Sequence, residues 1–257
     1  MNILHALILG LVEGFTEFLP VSSTAHLILT SHILDLEQSE FLKSFEVIIQ
    51  VSAILAVISL YWRSLLNWEV LKRLALAFIP TGLLGLLLYD FVKNYLFEST
   101  QLILWSLIIG GLVLILFEKT YKEPQDKATS LAEIPYSTCV MLGLFQSIAM
   151  IPGVSRSGAT IVGGLALGLQ KKTIVEFSFL LAIPTILAAS VLDLYKNAQS
   201  FTANESLLLS VGFVSSFIMA LISIKFLLST LQKNTFTAFG LYRVGVAVLF
   251  LLVLNLR

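Results

Sequence analysis

Pro20-Val21-Ser22-Ser23-Thr24 and Pro152-Gly153-Val154-Ser155-Arg156-Ser157-Gly158 each interrupt a long apolar stretch, the first spanning roughly residues 2–34 and the second roughly 135–170. In both, a proline is followed by small hydroxyl residues. A lipid-facing helix cannot break at such a point without stranding backbone N–H and C=O groups, so each break belongs inside protein or beside a water-filled cavity. Both stretches are therefore expected to be re-entrant helix pairs. The two also resemble copies. Leu9-Gly10-Leu11-Val12-Glu13 lies 133 residues before Leu142-Gly143-Leu144-Phe145-Gln146, and Val21-Ser22 the same distance before Val154-Ser155, the mark of an internal duplication.

The rest of the chain agrees with a membrane setting. Of 257 residues 57% are hydrophobic and 12% charged, against about 25% charged in soluble domains. The mean hydropathy is +0.93. Sixteen basic and sixteen acidic residues cancel, which gives no sign of a nucleic-acid partner. Six further segments, near 45–62, 72–92, 101–118, 174–195, 205–227 and 236–256, carry about the 20 apolar residues a spanning helix needs. The expected fold is an all-α integral membrane protein of six transmembrane helices plus two re-entrant pairs. With three spans per half, residues 1–120 and 135–257 form an inverted-topology repeat within one membrane domain, joined by the charged connector from Lys119 to Glu133. Lys and Arg gather at Arg63, Lys72, Arg73, Lys119, Lys122, Lys127, Lys171, Lys172 and Lys233, against Lys43, Lys93, Lys196 and Arg257 on the opposite side. The first group is expected to be cytoplasmic. The N-terminus has no basic leader and carries Glu13 and Glu17, so it is expected to be retained as structure. The lone Cys139 reads as a buried thiol.

Glu13 and Glu17 sit four apart on one helical face, where a carboxylate costs a few kcal/mol unless compensated. Metal or proton chemistry would compensate it; pairing with a base that holds the fold is the plainer alternative. Gly10 and Gly14, also four apart, suit close helix packing. Ser22, Ser23 and Thr24 are good N-cap residues, and His26 follows three positions after Ser23, which pairs a potential nucleophile with a potential base. In the second break Gly153 and Gly158 allow close backbone approach, while Ser155, Ser157 and Thr160 surround Arg156. A helix N-terminus and a guanidinium together outline a phosphate site. Arg243, after Tyr242 in the last span, divides evenly between a structural and a substrate-contact role. Glu46 and Gln50 form another four-spaced polar pair, for the site or for the re-entrant tips. Two carboxylates near phosphate suit Mg²⁺ or Ca²⁺, and nothing resembles a zinc or iron site.

The runs Glu13-Gly14-Phe15-Thr16-Glu17-Phe18-Leu19-Pro20-Val21-Ser22-Ser23-Thr24-Ala25-His26 and Pro152 through Thr160 resemble the two signatures of the undecaprenyl-diphosphatase, or bacitracin-resistance, family. Phe45 to Gln50 and Tyr242-Arg243 resemble further family elements, and Ala25 stands where the family commonly has glycine. The resemblance implies hydrolysis of undecaprenyl diphosphate to undecaprenyl phosphate and phosphate, recycling the lipid carrier for peptidoglycan and conferring bacitracin resistance. It implies metal binding or acid–base work for Glu13 and Glu17. Ser23 and His26 become nucleophile and base in some order, with direct attack by water left open, and Arg156 holds the diphosphate. Ser22, Gly153, Ser155, Ser157, Thr160, Gln50 and Arg243 are expected to contact substrate. The expected setting is the bacterial cytoplasmic membrane with the site facing the periplasm; the partners are the polyprenyl diphosphate, membrane lipids and, as an open option, a second copy in a homodimer. The rival reading is a secondary transporter or lipid-phosphate flippase, whose broken helices would look alike.

Overall fold

The computed structural model describes residues 1–96, 99–121, 130–196, 201–231 and 235–255. Lys122, Lys127, Lys233 and Arg257, used above for orientation, and most of the connector lie outside the described residues.

Ten α-helices form the described chain: α1 (Ile3–Thr16), α2 (Ser23–Ile33), α3 (Glu40–Leu65), α4 (Trp68–Phe91), α5 (Thr100–Thr120), α6 (Tyr136–Ser147), α7 (Arg156–Ala166), α8 (Lys171–Lys196), α9 (Ala203–Leu231) and α10 (Thr237–Asn255). Helices α3, α4, α5, α8 and α9 are each long and apolar enough to cross a bilayer, and α10, at 19 residues, is shorter. The six coincide with the six expected spans. Helices α1, α2, α6 and α7 have 14, 11, 12 and 11 residues, roughly 16–21 Å of rise, too short for a hydrocarbon core of about 30 Å. Each short pair meets at a break and packs on itself, α1 on α2 and α6 on α7.

The two breaks are alike in backbone detail. Ser22 and Ser155 cap α2 and α7 with φ of 73° and 76°, a region that costs a non-glycine residue of order 1–3 kcal/mol. The caps offset part of this cost, since Ser155 Oγ accepts from Gly158 N at 3.1 Å and Ser22 Oγ from Ala25 N at 3.5 Å. Both short helices end at a second positive-φ residue, Asp35 (50°) and Gly168 (83°).

Small residues let the helices touch, as expected where lipid tails are as apolar as leucine. A Cβ on Gly10 would lie 2.5 Å from Gly212 O, and one on Gly14 would fall on Ser216 O, so α1 lies directly against α9. Serine hydroxyls tie the same layer together: Ser216 donates to Ile49 O at 2.8 Å, Ser223 to Phe15 O at 2.6 Å, and Ser52 to Phe213 O. In the second half Gly143 lets α6 press on α4 at Ala77, where Thr81 donates to Gly143 O at 2.8 Å. Gly111 and Gly240 bring α5 and α10 together. The largest apolar cluster runs from Phe18 through Phe177 and Phe179 and contains Cys139, a buried free thiol. At the edge of the bundle, Arg73 donates to Ile134 O at 2.7 Å and Lys171 pairs with Glu118 at 2.6 Å, which pins the start of the second half to the first.

Candidate active site

Both breaks open on one cavity of about 180 Å³. Its wall includes Glu17, Ser22, Ser23 and Thr24 from the first break, and Pro152, Gly153, Ser155 and Arg156 from the second. Gln50 of α3, Thr81 of α4, Gln146 of α6 and Thr185 of α8 complete the polar lining. The N-terminal ends of α2 and α7 both face this space, and first-turn N–H groups have no carbonyl to bind within their own helix. Two positive helix ends and a guanidinium therefore converge on one cavity, an arrangement suited to an anion.

Glu17 joins the two breaks. Its Oε2 accepts from Ser23 Oγ at 2.5 Å and its Oε1 from Arg156 Nη2 at 2.7 Å. Arg156 also donates through Nη1 to Ser178 O on α8 at 2.8 Å, so the guanidinium is oriented by two elements. Glu17 and Arg156 have side chains only 7% and 12% exposed, which shelters the pair from solvent screening.

His26 lies elsewhere in the network. Its Nδ1 is 2.7 Å from Ser22 O, which can only accept, so Nδ1 carries the proton. Neutral Nε2 is then an acceptor, and the Tyr242 hydroxyl donates to it at 2.9 Å while the rings stack at 6°. Helical spacing puts Ser23 and His26 on one face, but in this structure Ser23 bonds the carboxylate across the break and His26 bonds Ser22 O and Tyr242. Thr160 donates to Arg156 O at 2.8 Å and is fully buried, away from the cavity lining. Ser157 donates to Leu19 O at 2.8 Å and meets Ser155 Oγ at 3.1 Å, bridging the breaks rather than lining the space.

Arg243 is bonded to backbone carbonyls. It is 1% exposed, and its guanidinium donates to Pro20 O at 3.3 Å, Gly153 O at 2.8 Å and Ser106 O at 3.1 Å. Pro20 O and Gly153 O belong to the two breaks, and Ser106 O to α5, so one cation ties both breaks to a neighbouring helix. Arg243→Met should unfold the break region: a buried hydrogen-bonded cation removed from its acceptors costs about 3 kcal/mol or more. Thermal unfolding in detergent measures this, and a wild-type midpoint would contradict it.

Glu13 is fully buried and neither of its carboxylate oxygens has a partner. Among the described residues no three His, Cys, Asp or Glu side chains surround a common point. Magnesium commonly binds through one or two carboxylates with the remaining ligands from water and substrate phosphate. The buried, unpartnered Glu13 beside Glu17 has the chemistry for such a cation, though Glu13 does not line the cavity and both Glu17 oxygens are held by Ser23 and Arg156. Glu46 accepts from Ser31 at 3.2 Å and does not line the cavity.

Thr81, Gln146 and Thr185 were not singled out from the sequence. A signal was present: Ile79-Pro80-Thr81 recurs as Ile183-Pro184-Thr185, and Gln146 follows Glu13 by the same 133 residues as the other matched positions.

Fold and cavity together define a polytopic membrane protein whose polar centre is built from paired helix breaks. Residues 6–249 match the family model described as bacitracin resistance protein BacA. The chain is 49% identical over 252 residues to the undecaprenyl-diphosphatase of Sulfurihydrogenibium sp., covering 98% of this chain and 99% of the relative. It is 49% identical to that of Aquifex aeolicus, over 96% of each chain, and 48% identical to that of Wolinella succinogenes over the full length of both. The chain belongs to the BacA bacitracin-resistance family.

Proposed function

We propose that this chain hydrolyses undecaprenyl diphosphate to undecaprenyl phosphate and inorganic phosphate, returning the lipid carrier to envelope polymer synthesis. The observation that carries the reading is Glu17, held between the Ser23 hydroxyl and the Arg156 guanidinium at the wall of a cavity to which two helix N-termini point. Ser23 Oγ attacks the terminal phosphorus as Glu17 takes its proton; the Oγ–P bond forms and the bridging P–O bond breaks, releasing the lipid monophosphate. Arg156 and the N–H groups of α2 and α7 stabilise charge on the phosphoryl oxygens. Water then cleaves the phosphoserine, with Glu17 in reach of Ser23 to return the proton. His26, fixed by Ser22 and Tyr242, holds the first turn of α2 in place.

Glu13 and Glu17 would hold a Mg²⁺ or Ca²⁺ ion, which when bound would neutralise phosphate charge. The unpartnered oxygens of Glu13 support this choice. We also read 1–120 and 135–257 as inverted copies: α7 follows α2 by 133 residues at both ends, and the packing partners exchange, α1 resting on α9 and α6 on α4. The basic loops favour a cytoplasmic side for Arg63, Lys72, Arg73 and Lys171, and the family resemblance favours the bacterial cytoplasmic membrane with the cavity reached from the outer side.

The test is phosphate release from farnesyl diphosphate by purified protein in detergent, where no vectorial transport is possible, with Mg²⁺, Ca²⁺ or EDTA. Release that requires the divalent ion, and ³²P retained on Ser23 in wild type but absent in Ser23→Ala, is the expected result. No release under any condition moves the transporter reading to first place; a fully active Ser23→Ala assigns the attack to water.

A further inference from the structure

The cavity adjoins an apolar groove on its α4/α8 side. Helix α8 contributes Thr185, Ile186 and Ala189 to the cavity, and on the neighbouring face Leu187, Ala188, Val191, Leu192 and Tyr195 to the groove. Helix α4 makes the same passage. Thr81 lies in the cavity, and one turn on is Gly85, where an added Cβ would meet only the Met150 methyl at 3.8 Å; Leu86 follows in the groove. Met150 itself lines the cavity, so polar chamber and apolar groove share two helices and meet within a turn.

The cavity end of this passage is held by a hydrogen-bonded clasp. Gln146 Nε2 donates at 3.0 Å to both Thr81 Oγ1 and Thr185 Oγ1. Each threonine hydroxyl gives its own proton to a carbonyl, Gly143 O and Leu181 O, both at 2.8 Å, so each must accept and the amide orientation follows. The clasp joins α4 to α8 beside Pro80 and Pro184, where each helix has lost a backbone donor. Beyond it the facing side chains are aliphatic apart from Tyr195, over about 15 Å of α8.

We propose that this groove seats the prenyl chain of the substrate, the diphosphate lying in the cavity and the chain leaving between α4 and α8. The inference rests on the phosphatase reading. A diphosphate held in the cavity must lead its apolar tail out, and the groove is the aliphatic surface that continues from the cavity wall. Its length along α8 accommodates a few isoprene units. Chain-length preference is then set by Leu86, Val191 and their neighbours rather than by the polar residues.

The experiment compares kcat/KM for farnesyl diphosphate with that for isopentenyl diphosphate, whose single isoprene unit reaches at most the near end of the groove. Val191 is 66% exposed, so Val191→Trp fills the groove without invading the core. The expected result is a fall of about tenfold in the farnesyl-to-isopentenyl ratio, the scale at which a misfitted apolar pocket discriminates. Leu86→Ala, which removes one wall, should lower the ratio several-fold. Val214→Trp on the lipid-facing side of α9, 55% exposed, should keep the wild-type ratio. If Val191→Trp and Leu86→Ala leave the ratio unchanged, or depress both substrates equally, the groove holds only ordinary membrane lipid and the proposal fails. A wild type that hydrolyses neither compound overturns the phosphatase reading, and the groove assignment with it.

Discussion

Glu17→Ala is expected to abolish phosphate release, with a fall of about 10³-fold or more in kcat, while the protein remains folded. General acid–base participation is worth about 10²–10⁴ in rate, and here the same carboxylate also holds the Ser23 hydroxyl and the Arg156 guanidinium. Removing it strips the 2.5 Å bond from Ser23 and the 2.7 Å bond from Arg156 at once. Arg156 keeps its 2.8 Å bond to Ser178 O, so it stays in the site but loses the partner that fixes its direction. Glu17→Gln separates the two roles, because the amide can still meet one neighbour through its oxygen but cannot take a proton. It should be nearly as inactive as alanine in kcat with a smaller change in KM. Size-exclusion profiles and thermal midpoints near wild type would show that chemistry rather than folding is lost. A glutamine variant with wild-type kcat would remove Glu17 as the base.

Gly14→Val is expected to prevent accumulation of folded protein. At this position α1 presses on α9 so closely that a Cβ would fall on Ser216 O and lie 2.9 Å from Ala220 N. Both are backbone atoms of a 29-residue helix, so neither can turn aside as a side chain would. Overpacking in a core costs about 1–3 kcal/mol and occasionally more, and here the two helices must separate. Separation would also pull Ser223 and Ser216 from the carbonyls they hold on α1 and α3. Monodisperse yield in detergent and the unfolding midpoint measure the effect. Gly245→Ala is the matched control, since nothing lies within 4 Å of a Cβ there. A Gly14→Val protein with a wild-type midpoint would show that α1 is free to move away from α9.

Several features were legible from local properties. A run of apolar residues is long enough to span or it is not, whatever lies beside it, and α3, α4, α5, α8 and α9 follow that rule, with α10 the shorter of the expected spans. Proline followed by Ser22 or by Ser155 stops a helix through backbone geometry alone. The cost of charge in hydrocarbon marks Glu17 and Arg156 before any neighbour is known. The sequence by itself thus determined where the chain is helical, where it breaks, and which residues demand a partner.

Only the tertiary structure decided who that partner is. Ser23 and His26 share a helical face, yet the hydroxyl meets Glu17 across the break and the imidazole meets Tyr242, 216 residues away. Nothing near Tyr242-Arg243 in the sequence points to the carbonyls of Pro20, Ser106 and Gly153 that surround the Arg243 guanidinium. Thr81 and Thr185 are unremarkable hydroxyls in apolar helices until Gln146 reaches both. The physical reason is the same in each case: the energy of a polar group in a membrane is a property of its own chemistry and depth, whereas the bond that relieves it depends on which helix the fold places within 3 Å.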